Sequence, residues 1–156
     1  MMLLLQFQMG ADCYVLDAAQ VAQVLPLVEL KQIPQAPAGV VGVLDFRGTL
    51  VPVIDLNELA LGRAARRCLS TRLILVHYSD RSGQARLLGL IAEQVTRTLK
   101  RSRADFSAAG IASDTAPYLG PVAADDAGRL VQWIEVQQLI PEAVSAVLFR
   151  RTENAA

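Results

Sequence analysis

Apolar residues recur at every second position from the start of the chain. Leu3, Leu5, Phe7 and Met9 share one face, the period of a half-buried strand. Gly10, Ala11 and Asp12 supply turn chemistry, and Cys13–Leu16 returns as a second strand, so a hairpin is predicted. Asp17 with Gln20 has the spacing of a capping box, and Val21, Val24 and Leu25 follow at helical spacing until Pro26 forbids continuation. A short helix is expected there. From Leu27 alternation resumes, with Val28 and Leu30 on one face and Glu29 and Lys31 on the other.

The stretch from Ile33 to Gly39, with Pro34 and Pro37, is a rigid extended connector, because each proline fixes its own φ and biases its predecessor away from helix. Val40–Phe46 and Leu50–Ile54 are apolar runs around Arg47, Gly48 and Thr49, a further hairpin signal. Pro52 cannot donate to a ladder and implies an edge or a bulge. Asn57–Leu61 predicts a helical turn or two, stopped by Gly62. Leu73–Tyr78 and Leu87–Ala92 are expected strands, Arg101–Pro117 a long loop, and Leu119–Ala123 and Leu130–Ile134 another strand pair. Pro141 opens a last short helix whose stripe is Val144, Val147 and Leu148.

The chain echoes itself. Gly48 to Leu59 aligns without gaps on Gly128 to Leu139: Gly48, Leu50, Val51, Ile54 and Leu59 meet identical residues, and Asp55 meets Glu135. Ala18 to Val21 matches Ala92 to Val95 more faintly. Two related small β units within a single domain, residues 1–156, with a groove between them, are inferred.

Composition narrows what such a fold does. Of 156 residues, 53% are hydrophobic and 19% charged, enough for a core. Fifteen basic residues balance fifteen acidic ones, which gives no bulk attraction to nucleic acid or anionic membrane. Mean hydropathy is +0.33, yet no apolar run approaches the roughly 20 residues of a spanning helix. Met1–Leu5 lacks a basic n-region and a small-residue cleavage site, so it is not expected to be a signal peptide. Cys13 and Cys68 lie far apart, which argues against a disulfide framework or zinc site and for a reducing cytoplasm.

Catalytic patterns are missing. His77 ends an apolar strand and is expected at a core or edge position satisfied by hydrogen bonding. The sequence holds no nucleophile elbow, phosphate-binding loop or dinucleotide fingerprint. Asp125 and Asp126 read as a solvated turn rather than a metal pair. Neither catalytic residues, nor a cofactor, nor a metal is expected, which leaves binding.

The run Ile33-Pro34, Pro37, Val40, Gly42-Val43-Leu44, Arg47-Gly48 and Leu50 to Leu56 resembles the signature of the CheW family of chemotaxis coupling adaptors. Phe7, Met9, Gly10 and Tyr14 resemble its opening hairpin, Gly89 to Val95 its second-half strand, and Tyr118, Gly120 and Gly128 to Ile140 its closing strand and helix. The resemblance implies a mostly β fold: two packed SH3-like five-stranded barrels with short helices and a C-terminal helix. It implies a non-enzymatic adaptor, cytoplasmic and recruited to the membrane's inner face by receptor arrays. Its partners would be the regulatory domain of a CheA-type histidine kinase and the cytoplasmic tip of methyl-accepting chemoreceptors, with no nucleic acid and no direct membrane insertion. Arg47 matches the family's receptor-side arginine, followed by Gly48 in the turn; Val21, Gly42 and Val43 match positions near partner surfaces.

Three positions depart from that pattern. Gln23 stands where a glutamate can pair with the arginine, so the pair is expected to be weaker. Asp45 replaces an asparagine two residues from Arg47 and is expected to hold it from within the strand. Glu93 replaces an aspartate. The changes imply a divergent partner set. A rival resemblance is to PilZ domains, which bind cyclic di-GMP, through Arg63 and Arg67 with Asp105, Ser107 and Gly110.

Overall fold

The computed structural model describes the backbone of residues 1–108 and 116–154, and side chains up to residue 149. The strands are β1 (Met2–Met9), β2 (Asp12–Asp17), β3 (Val21–Pro26), β4 (Val40–Phe46), β5 (Thr49–Asp55), β6 (Arg72–Ser79), β7 (Ala85–Arg101), β8 (Leu119–Ala124) and β9 (Leu130–Ile134). Helices α1 (Leu56–Leu61) and α2 (Glu142–Asn154) and three 3-10 turns complete the described chain.

Hydrogen bonding sorts the strands into two sets of five that share β7. One set runs β3-β6-β7-β5-β4 and the other β7-β1-β2-β9-β8. Each set curls back on itself through one extra bridge. Lys31, beyond β3, exchanges backbone hydrogen bonds of 3.0 and 2.7 Å with Val43 of β4. Ser107, beyond β7, exchanges two of 2.8 Å with Val122 of β8. Two SH3-like barrels result, the N-terminal hairpin closing with the C-terminal strands.

The internal echo has a structural counterpart. Gly48–Leu59 covers β5 and α1; Gly128–Leu139 covers β9 and the 3-10 turn Val136–Gln138. β5 is the second strand of one antiparallel pair and lies parallel to β7; β9 is the second strand of another and lies parallel to β2. The same apolar spacing serves the same position in each barrel.

Three cores explain why the strands are apolar on both faces. Val51, Val53, Leu73 and Leu75 fill one barrel, and Leu4, Val15, Leu99, Val131 and Trp133 the other. Their sequence neighbours Ile54, Ile74, Val76, Leu88, Leu90 and Ile134 build a third cluster with Phe7, Leu16 and Leu148. Strands such as β6 alternate between two buried environments instead of between core and water. That corrects the reading of β1. Leu5, Phe7 and Met9 do face the shared cluster, but Leu4 fills a barrel, and Leu3 is the residue that points outward, 45% exposed.

Other local expectations change for identifiable reasons. Asp17 accepts a hydrogen bond from the Ala19 amide, yet the turn it caps is only Ala18–Gln20. Val21–Pro26 is a strand paired with β6, because both flanks of β6 need a partner. Residues 27–30 form no strand. β7 runs to Arg101, well past Ala92. Pro52 sits one residue before the β5–β7 ladder begins at Val53, so its missing donor falls outside that ladder. In α2, Leu148 and Phe149 are buried and Val144 packs beside them, while Val147 faces out. His77 is exposed on β6, opposite Leu87 and just past the β3 ladder that stops at Val76, so it takes an edge position and not a core one.

A candidate partner-binding surface

The β4–β5 hairpin closes through only two residues, Arg47 and Gly48, with Phe46 facing Thr49 in register. Both have positive φ, 53° and 87°, as a type I′ turn requires. Glycine adopts this conformation freely; arginine does so at a cost. Asn-Gly is the favoured pair for such a turn, so Arg47 occupies a place where backbone preference alone does not select it.

Asp45 secures the turn, but not as expected. Its Oδ1 accepts the Gly48 amide at 2.9 Å. Among the described residues it makes no ion pair with Arg47. The reason is that β4 ends at Phe46: the left-handed backbone at Arg47 breaks the two-residue alternation that would have aligned the two side chains. The guanidinium instead lies over the Phe46 ring, its Cζ 4.9 Å from the centroid. This leaves an exposed cation at a hairpin tip with its hydrogen-bonding edge free of described partners.

Gln23 lies half-buried on β3, paired with Leu75 beside a bulge that separates it from Val21. No hydrogen bond joins Gln23 to Arg47 among the described residues. Val21 is half-buried against the shared cluster, and Val43 is 4% exposed. Gly42 is buried: a Cβ there would stand 2.7 Å from the Lys31 carbonyl oxygen and 2.9 Å from Leu30 Cβ. The close approach that this glycine permits is made by the chain's own barrel-closing segment.

Behind the hairpin a buried polar knot holds α1, one that sequence reasoning did not single out. Asp55 caps α1, its Oδ1 accepting from the Asn57 and Glu58 amides at 2.9 and 3.2 Å and its Oδ2 from Ala65 at 2.9 Å. Glu93 accepts from Asn57 Nδ2 at 2.7 Å and from the Arg66 amide at 3.2 Å. The glutamate at this departure from the family pattern thus ties α1 and the following loop to β7. Asp followed by a helical turn was the available signal for the first half; the second needs the fold.

Among the described residues of the PilZ-like pattern, no hydrogen bond or ion pair joins Arg63 or Arg67 to Asp105 or Ser107. Arg67 borders a cavity with Leu27, Leu30 and Val41, and Arg63 is exposed near Gly10. Asp105 caps its own 3-10 turn in a capping box with Ser102, and the Ser107 backbone bridges to Val122. Gly110 lies outside the described residues. Among the described residues no group of His, Cys, Asp and Glu could hold a metal ion, and no helix is long and apolar enough to cross a membrane.

The model of the CheW-like domain family matches residues 3–144, almost the whole chain. The chain belongs to the CheW family. Members are chemotaxis scaffolds and adaptors rather than enzymes. Among solved structures, the CheW fold recurs in the scaffolding protein TtCheW from Thermoanaerobacter tengcongensis: 24% identity, 90% of this chain and 88% of that one covered, TM-score 0.77. Comparison with curated proteins returns no match.

Proposed function

We propose that this CheW-family chain couples the cytoplasmic tips of methyl-accepting chemoreceptors to the regulatory domain of a CheA-type histidine kinase. It acts in the cytoplasm, at the membrane face where receptor arrays recruit it. The observation that carries the reading is the β4–β5 turn, where a strained arginine is held outward over Phe46 without an ion pair among the described residues. A backbone cost retained at a surface position is a mark of a binding role. Arg47 meets the receptor; Asp45 and Gly48 hold its turn. Gln23 and Val21 extend the surface along β3, and Gly42 and Val43 support the hairpin from beneath. The receptor's helical tip enters a groove, and the kinase adds its own barrel against a barrel of this chain, with apolar contact inside a polar rim.

Co-purification of the full chain with a receptor tip fragment and with the kinase regulatory domain tests the proposal; capture of neither ends it. Arg47→Ala is expected to weaken receptor capture about tenfold, the scale of lost charge-assisted hydrogen bonds. Kinase capture should persist. Alanine shares the left-handed cost of arginine, so thermal stability should stay within about 0.5 kcal/mol. A large stability loss would make Arg47 structural.

A further inference from the structure

A second site lies on the other barrel, where β1 and β7 fall out of step. Gln6 pairs with Arg97 and Gln8 with Glu93, so β1 advances two residues while β7 advances four. The excess chain is taken up by a bulge in which Gln94 has φ 53°. A cavity of about 110 Å³ opens at this bulge, lined by Gln6, Gln8, Gln94, Thr96, Arg97 and, from the β8–β9 turn, Arg129.

We propose that this cavity binds a phosphate-class oxyanion, free or as a phosphate monoester. Its lining side chains supply primary amides, a hydroxyl and two guanidinium groups, and none of them is a carboxylate. Gln6 is only 7% exposed, yet its amide makes no hydrogen bond among the described residues and opens onto the cavity. The cavity leaves that amide in contact with solvent, so a bound acceptor takes the place of water there. Arg97 is exposed and makes no ion pair among the described residues.

Arg129 is anchored by Asp125, which accepts from its Nε at 3.3 Å and from its amide at 2.9 Å. That contact leaves the terminal nitrogens of Arg129 for a ligand. Two guanidinium groups line the pocket, one of them paired with the Asp125 carboxylate. Donors reach it from β1, β7 and a turn, three directions that suit the tetrahedral oxygens of phosphate better than a planar carboxylate. A water position needs roughly 10–15 Å³, so the volume accommodates four oxygens.

The test is titration of the full chain with inorganic phosphate and with phenyl phosphate, against chloride at matched ionic strength. The readout is the NMR signals of the Gln6, Gln8 and Gln94 side-chain amides. Saturable shifts with either phosphate, absent with chloride, support the site; shifts with phenyl phosphate as well show that it admits a phosphoryl group carried by a larger molecule. Arg97→Gln, an exposed change that leaves the melting temperature in place, should weaken binding about tenfold. The proposal is overturned if neither phosphate shifts these amides, if chloride does so equally, or if Arg97→Gln and Arg129→Gln both bind like the parent chain.

Discussion

At position 47 local backbone preference and presentation of charge pull in different directions. Replacing Arg47 by asparagine restores the preferred I′ pair, so Arg47→Asn should gain about 0.5–1 kcal/mol of stability while losing receptor capture. Denaturant unfolding beside a capture assay reads both; a loss of stability would contradict the strain argument. Gly42 makes the opposite case, with packing in place of presentation. The Lys31 carbonyl oxygen fills its space at 2.7 Å from any Cβ, and backbone cannot rotate away as a side chain can. Gly42→Ala should cost about 1–3 kcal/mol by forcing β4 and the closing segment apart. An unchanged melting temperature would mean the barrel closes without that bridge.

Among the elements, the β6–β7 hairpin carries its own acid sensitivity. Asp80 accepts from the Ser82 hydroxyl at 2.6 Å and from Arg86 Nε at 2.9 Å, and also from the Ser82 and Gln84 amides. The Ser82 hydroxyl first, and Arg86 after it, hold its carboxyl down at about 2. Because the folded value lies below the ordinary one near 3.9, the unfolded state binds the proton first. The contribution is complete above about pH 4 and is lost as pH falls toward 2. Protection of the Ser82 and Gln84 amides, measured against the unfolded exchange rate at each pH, should therefore fall over that window in the parent chain and show no such step in Asp80→Asn. A step of equal size in the variant would assign it to another carboxyl.

The whole molecule is expected to unfold as one unit despite its two barrels. The shared cluster draws side chains from both, and β7 runs through both without a break. Trp133 lies inside one barrel only, so its fluorescence reports that barrel. Its transition should coincide with that of far-ultraviolet circular dichroism. Leu90→Ala, in the shared cluster, should lower both together by about 2–5 kcal/mol. Two separated transitions would show that the barrels are independent.

Sequence alone determined the features that local chemistry controls. The hairpin turn at Arg47 and Gly48, the short helix stopped by Gly62, and the paired apolar runs echoed from Gly48 and from Gly128 all rest on residues close together in the chain. Arg47 was legible as the candidate contact because a long local motif surrounds it. Tertiary structure decided what depends on distant pairing. Val21–Pro26 became a strand because β6 offered an edge, against a capping signal that local sequence could not weigh. β1 and β6 lack a clean two-residue period because both faces are buried in different cores. The use of Asp45 on a backbone amide, the filling of Gly42 by Lys31, and the polar pocket around Gln6 follow from the same cause. Each joins residues whose separation along the chain, or whose backbone twist, carries no mark in the pattern of apolar and polar positions.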